Sequence, residues 1–315
     1  MKMSNSFTLI EILVVIVVIG ILSAFILVSV GSITESANIA RGKAFADSID
    51  NSLLLSRKSY WKIDESSGVS ISDNWGTNIC TINGFADTTA GYGDTHNSGW
   101  MSSNNCVSGT CTKFDKVDDY IDCGDPDSLS FGNGLVDSPF SISLWTKISS
   151  DTVNGGLIAK ASDSNIGEYY LYVVAPTFYF RLVDNSQAAF MGVQRSGIPL
   201  ASWVHVFTTY DGTSTNAGIK IYFNGIQQTT ALTNSGTYIA TENTAVSLRI
   251  GRRDSLIKGL IDDVKIYNEV ISSSEIQSNY YAELNKLLRN KHISLREYAD
   301  KLSELKSSIG QIDFN

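Results

Sequence analysis

Residues 7–30, FTLIEILVVIVVIGILSAFILVSV, constrain this chain more than any other stretch. From Ile12 to Val30 run 19 residues with no charge and no proline. As a helix they rise about 28 Å, close to the hydrocarbon thickness of a bilayer. The segment is predicted to be a transmembrane helix. A carboxylate sits near its start, Glu11, at a cost of up to about 3 kcal/mol at bilayer depth and less near the interface, so it needs a cationic partner. A secretory signal peptide is the competing reading, but its apolar region usually spans about 7–15 residues and carries no acid. The small residues Ser23 and Ala24 keep that reading open, as does a plain uncleaved anchor. Lys2 favours an amino terminus retained in the cytoplasm.

MKMSNS followed by FTLIE resembles the leader and helix of type IV prepilins. The resemblance implies that a prepilin peptidase cuts between Ser6 and Phe7 and that the new amino terminus is N-methylated. It also implies a role for Glu11, neutralised by the freed ammonium of Phe7 on a neighbouring pilin-like subunit. Breaking such a buried pair costs more than the pair contributes. Ser6 stands where the family normally has glycine.

The helix is predicted to continue, because residues 34–58 lack proline and place Ile33, Ala37, Ala40, Ala44, Ile49 and Leu53 at helical spacings. From about residue 60 the chain becomes rich in Gly, Ser, Thr, Asn and aromatic residues, with short alternating apolar runs. Runs at 140–148, 156–161, 168–174, 178–183, 203–210 and 219–225 read as strands separated by turns. Asn224-Gly225 suits a type I′ hairpin and Asp211-Gly212 another tight turn. Many short strands without helical periodicity predict an all-β antiparallel sandwich or jelly roll. The carboxyl tail returns to helix: Ser272 with Glu275 and Ser294 with Glu297 match capping boxes, and Leu295, Tyr298, Leu302, Leu305 and Ile309 share a face. Four segments follow: leader 1–6, membrane and spine helix 7–59, β domain 60–271, and a C-terminal α-helical hairpin 272–315, split near Asn290–His292.

YWKIDESSG at 60–68, TKFDKVDDYIDCGD at 112–125, PFSISLWTKI at 139–148, ASWVHVFTTYDG at 201–212, IKIYFNGIQ at 219–227 and SLRIGRR followed by GLIDDVKIYNEVISSSEI at 247–276 resemble, in order, the laminin-G-like or concanavalin A-like jelly roll. Lys116 stands where that family often has glycine. The segment LNKLLRNKHISLREYADKLSEL is similar to a short helical motif found at the end of many bacterial proteins, which implies oligomerisation; a hairpin packed on its own sandwich is the alternative.

The jelly roll hosts lectins, protein-binding modules and some glycosidases, so function must come from sites. Glycosidases need two carboxylates flanking the scissile bond, and enzymes of this fold usually place them as Glu-x-Asp-x-Glu. No such array is present, Glu168 and Glu242 have no partner at strand spacing, and His96, His205 and His292 are scattered. The chain is not predicted to be an enzyme. His205, between Trp203 and Phe207, reads as a core or boundary histidine.

Asp118 and Asp119 on one side and Asp262 and Asp263 on the other are hard oxygen donors, and a jelly-roll sheet that joined them would suit calcium, which takes about six to eight such ligands. The resemblance also implies such an ion. The alternative is that these acids bond backbone amides at turns and edges. Tyr179 and Arg181 alternate away from Phe178, Phe180 and Leu182, which read as core. With either Tyr170 and Tyr172 or Tyr169, the pair Tyr179 and Arg181 forms a candidate platform for a sugar ring, against ordinary cross-strand packing. The four cysteines lie in the exported region, which suits oxidation. Three pairings are open; the short NNCVSGTC spacing favours Cys106–Cys111, leaving Cys80 with Cys123.

A net charge of −8 argues against nucleic acid as a main partner. The reading is a pilin-like subunit, single-pass in the bacterial cytoplasmic membrane with its head outside, at the cell surface or in a filament after assembly, where it adheres to a glycan or protein ligand. Two other functions remain open: an assembly-only pseudopilin of a secretion or DNA-uptake system, and a membrane-tethered enzyme acting on polysaccharide.

Overall fold

A computed structural model describes residues 53–86, 98–162 and 166–309. Ser6, Phe7, Glu11 and the predicted span lie outside these described residues, among which no helix is long and apolar enough to cross a membrane.

The alternating runs form seventeen strands. In chain order they are β1 (Arg57–Trp61), β2 (Ser70–Ile71), β3 (Cys80–Asn83), β4 (Gly99–Met101), β5 (Cys111–Asp115), β6 (Tyr120–Asp122), β7 (Phe140–Ile148), β8 (Asn154–Ala161), β9 (Gly167–Val174), β10 (Thr177–Asp184), β11 (Ala189–Ser196), β12 (Val204–Tyr210), β13 (Ile219–Phe223), β14 (Ile226–Gln227), β15 (Ala231–Leu232), β16 (Arg249–Ile250) and β17 (Lys258–Tyr267). Two helices follow, α1 (Ser273–Arg289) and α2 (Leu295–Ile309).

The strands pair antiparallel in two sheets. One runs β14-β13-β12-β7-β17-β5-β4, with β1 added beside β17, and the other runs β15-β11-β10-β9-β8-β16-β6-β3-β2. Their inner faces enclose a core that includes Trp61, Trp100, Phe114, Phe140, Phe178, Phe180 and Leu182. Burying each such side chain contributes about 1.5–3 kcal/mol, and stacked pairs such as Phe131 on Phe140, centroids 4.4 Å apart, add to that.

Asn224 and Gly225 carry φ of 53° and 77° and join Phe223 to Ile226, the two-residue turn with two left-handed positions that a type I′ hairpin requires. At Asp211-Gly212 the tight turn is closed by a side chain: Asp211 Oδ1 accepts from Thr213 N at 3.0 Å and Gly212 takes φ of 78°, within a longer connection between Tyr210 and Ile219. The spine-helix expectation is also corrected at its end, because Arg57–Trp61 is β1, paired with Val264–Tyr267 of β17. Helical spacing of small residues could not foresee a pairing between strands so far apart in sequence.

Both capping boxes are present: Ser272 and Glu275 start α1, and Ser294 and Glu297 bond reciprocally before α2. The hairpin packs on its own sandwich. Ile276, Tyr280, Leu284 and Leu287 of α1 bury against Trp145, Trp203, Phe207 and Tyr267 on the outer face of the first sheet. Tyr298, Leu302 and Leu305 of α2 join this cluster. Leu295, placed on the same face by spacing, is 69% exposed because the helix begins there, beyond the contact. Both disulfides pair as favoured, Cys80–Cys123 and Cys106–Cys111. The turn between the helices holds the shorter disulfide loop, with Asn290 Nδ2 donating to Val107 O at 2.7 Å and His292 Nε2 bonded to Cys106 O.

Candidate ligand-binding face and acidic cluster

Strand register assembles one continuous rung across the second sheet: Thr81, Asp122, Arg249, Ala159, Tyr170, Arg181 and Gly192. Directly opposed residues share a face, so all seven project outward, away from the core. The next rung adds Gly156, Tyr172, Tyr179 and Gln194. Of the two predicted tyrosine sets, the strands therefore join Tyr170 and Tyr172 to Tyr179 and Arg181, while Tyr169 enters the core.

The platform is not bare. Tyr170 is buried and Tyr172 only 9% exposed, which corrects the expectation of open rings. Residues 251–257 cross over β8, where a Cβ on Gly156 would fall 2.4 Å from Arg253 N. That close approach lays the Arg253 guanidinium 4.5 Å from the Tyr170 centroid and 4.3 Å from that of Tyr172. Asp254 holds Arg253 through two hydrogen bonds of 2.8 Å. Arg181 lies 4.8 Å from the Tyr179 centroid and 4.3 Å from that of Phe190. It has room there because Gly192 has no side chain; a Cβ would meet Arg181 Cγ at 2.6 Å. Arg252 covers Tyr120 at 4.8 Å, and Arg249 pairs with Asp122 at 3.2 Å. The half-buried Tyr179, Arg181, Arg249 and Arg252 meet solvent on this face, beside exposed Thr81 and Asp254. SLRIGRR contained the clue to Arg249, Arg252 and Arg253, but alternation does not say over which strand a loop folds.

The acidic residues form a different site from the one expected. Asp115, Asp118 and Asp119 cluster at the β5–β6 turn, each offering an oxygen within 4.8 Å of the others. A shared ion about 2.4 Å from each oxygen fits that spread, and the all-carboxylate donor set suits calcium. Buried Asp119 accepts from Asp115 N through Oδ2 at 2.7 Å, and its Oδ1 has no hydrogen bond. Burial, helped by neighbouring Asp115, pushes the Asp119 carboxyl up to about 7 despite that backbone bond. An orphaned buried carboxylate oxygen costs free energy unless something positive meets it.

Asp262 and Asp263 do not join this cluster. Asp115 opposes Lys258, so Asp262 stands four residues farther along β17, about 13 Å away. Both aspartates occupy the β17 bulge, where Asp263 takes φ of 49°. Asp262 accepts from Ser108 N at 3.3 Å, while Asp263 accepts from Tyr60 Oη and pairs with Lys286 of α1 at 3.3 Å. Nearby, Lys265 pairs with Glu283, which also accepts from Trp145 Nε1. Asp263 and Glu283 fasten the hairpin to the sheet, and Asp262 holds the β4–β5 loop. Their partners come from β1, that loop and α1, too distant in sequence for spacing to reveal.

Glu168 has a partner that strand spacing hid. It sits at a bulge opposite Lys160 and Ala161, and the buried Lys160 ammonium bonds Glu168 at 2.7 Å, Asp125, and the Thr244 and Val246 carbonyls at 3.2 Å. Burial pushes the Glu168 carboxyl up against the pull of Lys160. Glu242 accepts from Asn185 N and Ser186 N at 2.8 Å. His205 is buried between Trp145 and Tyr280, bonded to Ser143 Oγ at 2.8 Å, and desolvation pulls it down to about 4.

Two stacked antiparallel sheets, one outer face closed by helices and the other carrying a tyrosine–arginine lattice, define a concanavalin A-like sandwich. Residues 115–277, just over half of the chain, match the concanavalin A-like lectin/glucanases superfamily, and the protein belongs to that family. Residues 1–27 match the prokaryotic N-terminal methylation motif, over the stretch in which MKMSNS and FTLIE resemble a prepilin leader and helix. Among solved structures, the binding domain of Paraclostridial mosquitocidal protein 1 is similar at 12% identity and TM-score 0.53, over 74% of this chain and 53% of that one. The receptor-binding domain of botulinum neurotoxin mosaic serotype C/D gives 14%, 0.52, 74% and 52%. The chain spans about half the length of these structures, and at such identities the likeness is one of fold. No curated protein matches it.

Proposed function

We propose that this protein is a pilin-like surface subunit whose head adheres to a glycan or protein ligand through the outer face of the second sheet. The observation that carries the reading is the asymmetry of the sandwich. Helices cover one outer face, whereas the other presents half-buried Tyr179 and Arg181 beside buried Tyr172 and Tyr170. The fold neighbours include domains named for receptor binding, in keeping with a binding role. The N-terminal motif supports anchoring in the membrane, processing before Phe7 by a prepilin peptidase, and assembly with other pilin-like subunits. The head acts by binding and not by catalysis.

A glycan array probed with the detergent-purified full chain tests this reading. Binding that Tyr179→Ala abolishes supports it. Filaments that assemble normally while the head binds neither glycan nor host-surface protein would favour the assembly-only alternative.

Calcium belongs to the same proposal, held by Asp115, Asp118 and Asp119, because the unbonded Asp119 Oδ1 needs a positive partner. Chelation is expected to lower the melting temperature and added calcium to restore it, since an ion that binds only the folded state stabilises it by mass action. Identical melting curves with and without chelator would leave these acids as turn formers.

A further inference from the structure

The geometry points to an acidic sugar as the ligand of this face: a glycan whose carboxylate is borne directly on the ring, received by Arg181. This assignment rests on the reading of the second sheet's outer face as glycan-binding and adds the chemical class.

Charge bookkeeping on the face carries the argument. Among the described residues, the strands and the crossing loop bring four guanidinium groups there, Arg181, Arg249, Arg252 and Arg253, against two carboxylates, Asp122 and Asp254. Both carboxylates are already engaged, one with Arg249 and one with Arg253. Arg181 bonds only neutral hydroxyls, Tyr170 Oη at 3.3 Å and Thr233 Oγ1, and Arg252 is met by the Tyr120 ring. The Nε atoms of both are buried without a hydrogen-bond partner. A chain with net charge −8 thus concentrates unneutralised positive charge on its open face.

A half-desolvated guanidinium gains most from a planar anion that accepts two parallel hydrogen bonds, and a carboxylate has that shape. Tyr179 supplies the apolar surface for a ring, and the Arg181 guanidinium lies 4.8 Å from its centroid. A ring docked beside Tyr179 therefore places its own carboxylate within reach of Arg181. Neutral sugars would leave the Arg181 guanidinium as it is.

The test titrates the full chain in detergent with two pairs of probes, oligogalacturonate against its methyl ester and sialyllactose against lactose. The acid of at least one pair is expected to bind at least tenfold more tightly than its neutral partner. Arg181→Gln should weaken that binding by about tenfold, the loss of a charge-assisted bond. Arg181→Lys, which keeps the charge but not the fork, should fall between, and each variant is compared only if its melting curve matches wild type. Lys147→Gln, on the outer face of the other sheet, should change nothing. Equal affinity within both pairs, with Tyr179→Ala still disruptive, overturns the acidic class but leaves the glycan reading standing. Loss of binding in Lys147→Gln but not in the arginine variants overturns both, as does failure of all four probes together with a blank glycan array.

Discussion

Lys160 is a buried cation on which four polar groups converge. Its ammonium is buried among two carboxylates and two carbonyls, and removing one member of such a set leaves uncompensated buried charge. Lys160→Met is expected to destabilise the head by about 3–5 kcal/mol, and adding Glu168→Gln should restore part of it. Equal denaturation midpoints for wild type and Lys160→Met would refute the pairing's importance. Lys116 offers the opposite sign. It adopts φ of 72° at a position where related sequences often carry glycine, a conformation that costs an L-residue about 1–2 kcal/mol. Lys116→Gly should raise stability by up to about 1 kcal/mol in chemical denaturation, after the unfolded-state entropy of glycine is subtracted. Lys116 was legible as an anomaly because the motif around it is local. Lys160 was not, since its partners at Asp125, Glu168, Thr244 and Val246 come from four separate segments.

At the scale of elements, the helical hairpin meets the first sheet through a polar seam laid over aromatic rings. Tyr60 of β1, Asp263 and Lys265 of β17, His205 of β12, and Glu283 and Lys286 of α1 all face it. Burial pushes Glu283 up, but Lys265 and Lys286 outweigh that and hold it below the usual carboxylate range. Burial, with Lys265 and Lys286 adding to it and Glu283 and Asp263 opposing, holds His205 near 4. Both shifts act in one direction. As pH falls through about 6.5 the unfolded chain protonates His205 while the folded one does not, so stability is full above that pH and declines towards 4; Glu283 adds its own loss below about 4.3. The stability difference between wild type and His205→Gln should therefore shrink or reverse by up to about 3 kcal/mol between pH 6.5 and 4. A difference independent of pH would show that His205 titrates normally. The helices themselves were legible from capping boxes and spacing. Their docking was not, because amphipathicity names the buried face without naming what buries it.

For the whole molecule, the strands and their inner faces followed from alternation, and the disulfide pairs from one short spacing. The acidic site was half legible: Asp118 and Asp119 lie in one local turn with Asp115, whereas grouping them with Asp262 and Asp263 required a sheet register that no spacing encodes. Assembly belongs to this scale too. Glu11→Ala is expected to leave membrane insertion intact while sharply reducing filament yield, because a neighbour's Phe7 ammonium would lose its counter-charge. Wild-type filament yield by microscopy would sink the pairing. The pairing of β1 with β17 carries a mechanical consequence. Tension arriving along the chain from its N-terminal side reaches β1, where Arg57, Ser59, Tyr60 and Trp61 face Tyr267, Ile266, Lys265 and Val264 across the sheet. A tethered head pulled by its ligand is thus gripped at once by the last strand of its own sandwich, so that the load between tether and ligand passes through the β1–β17 ladder.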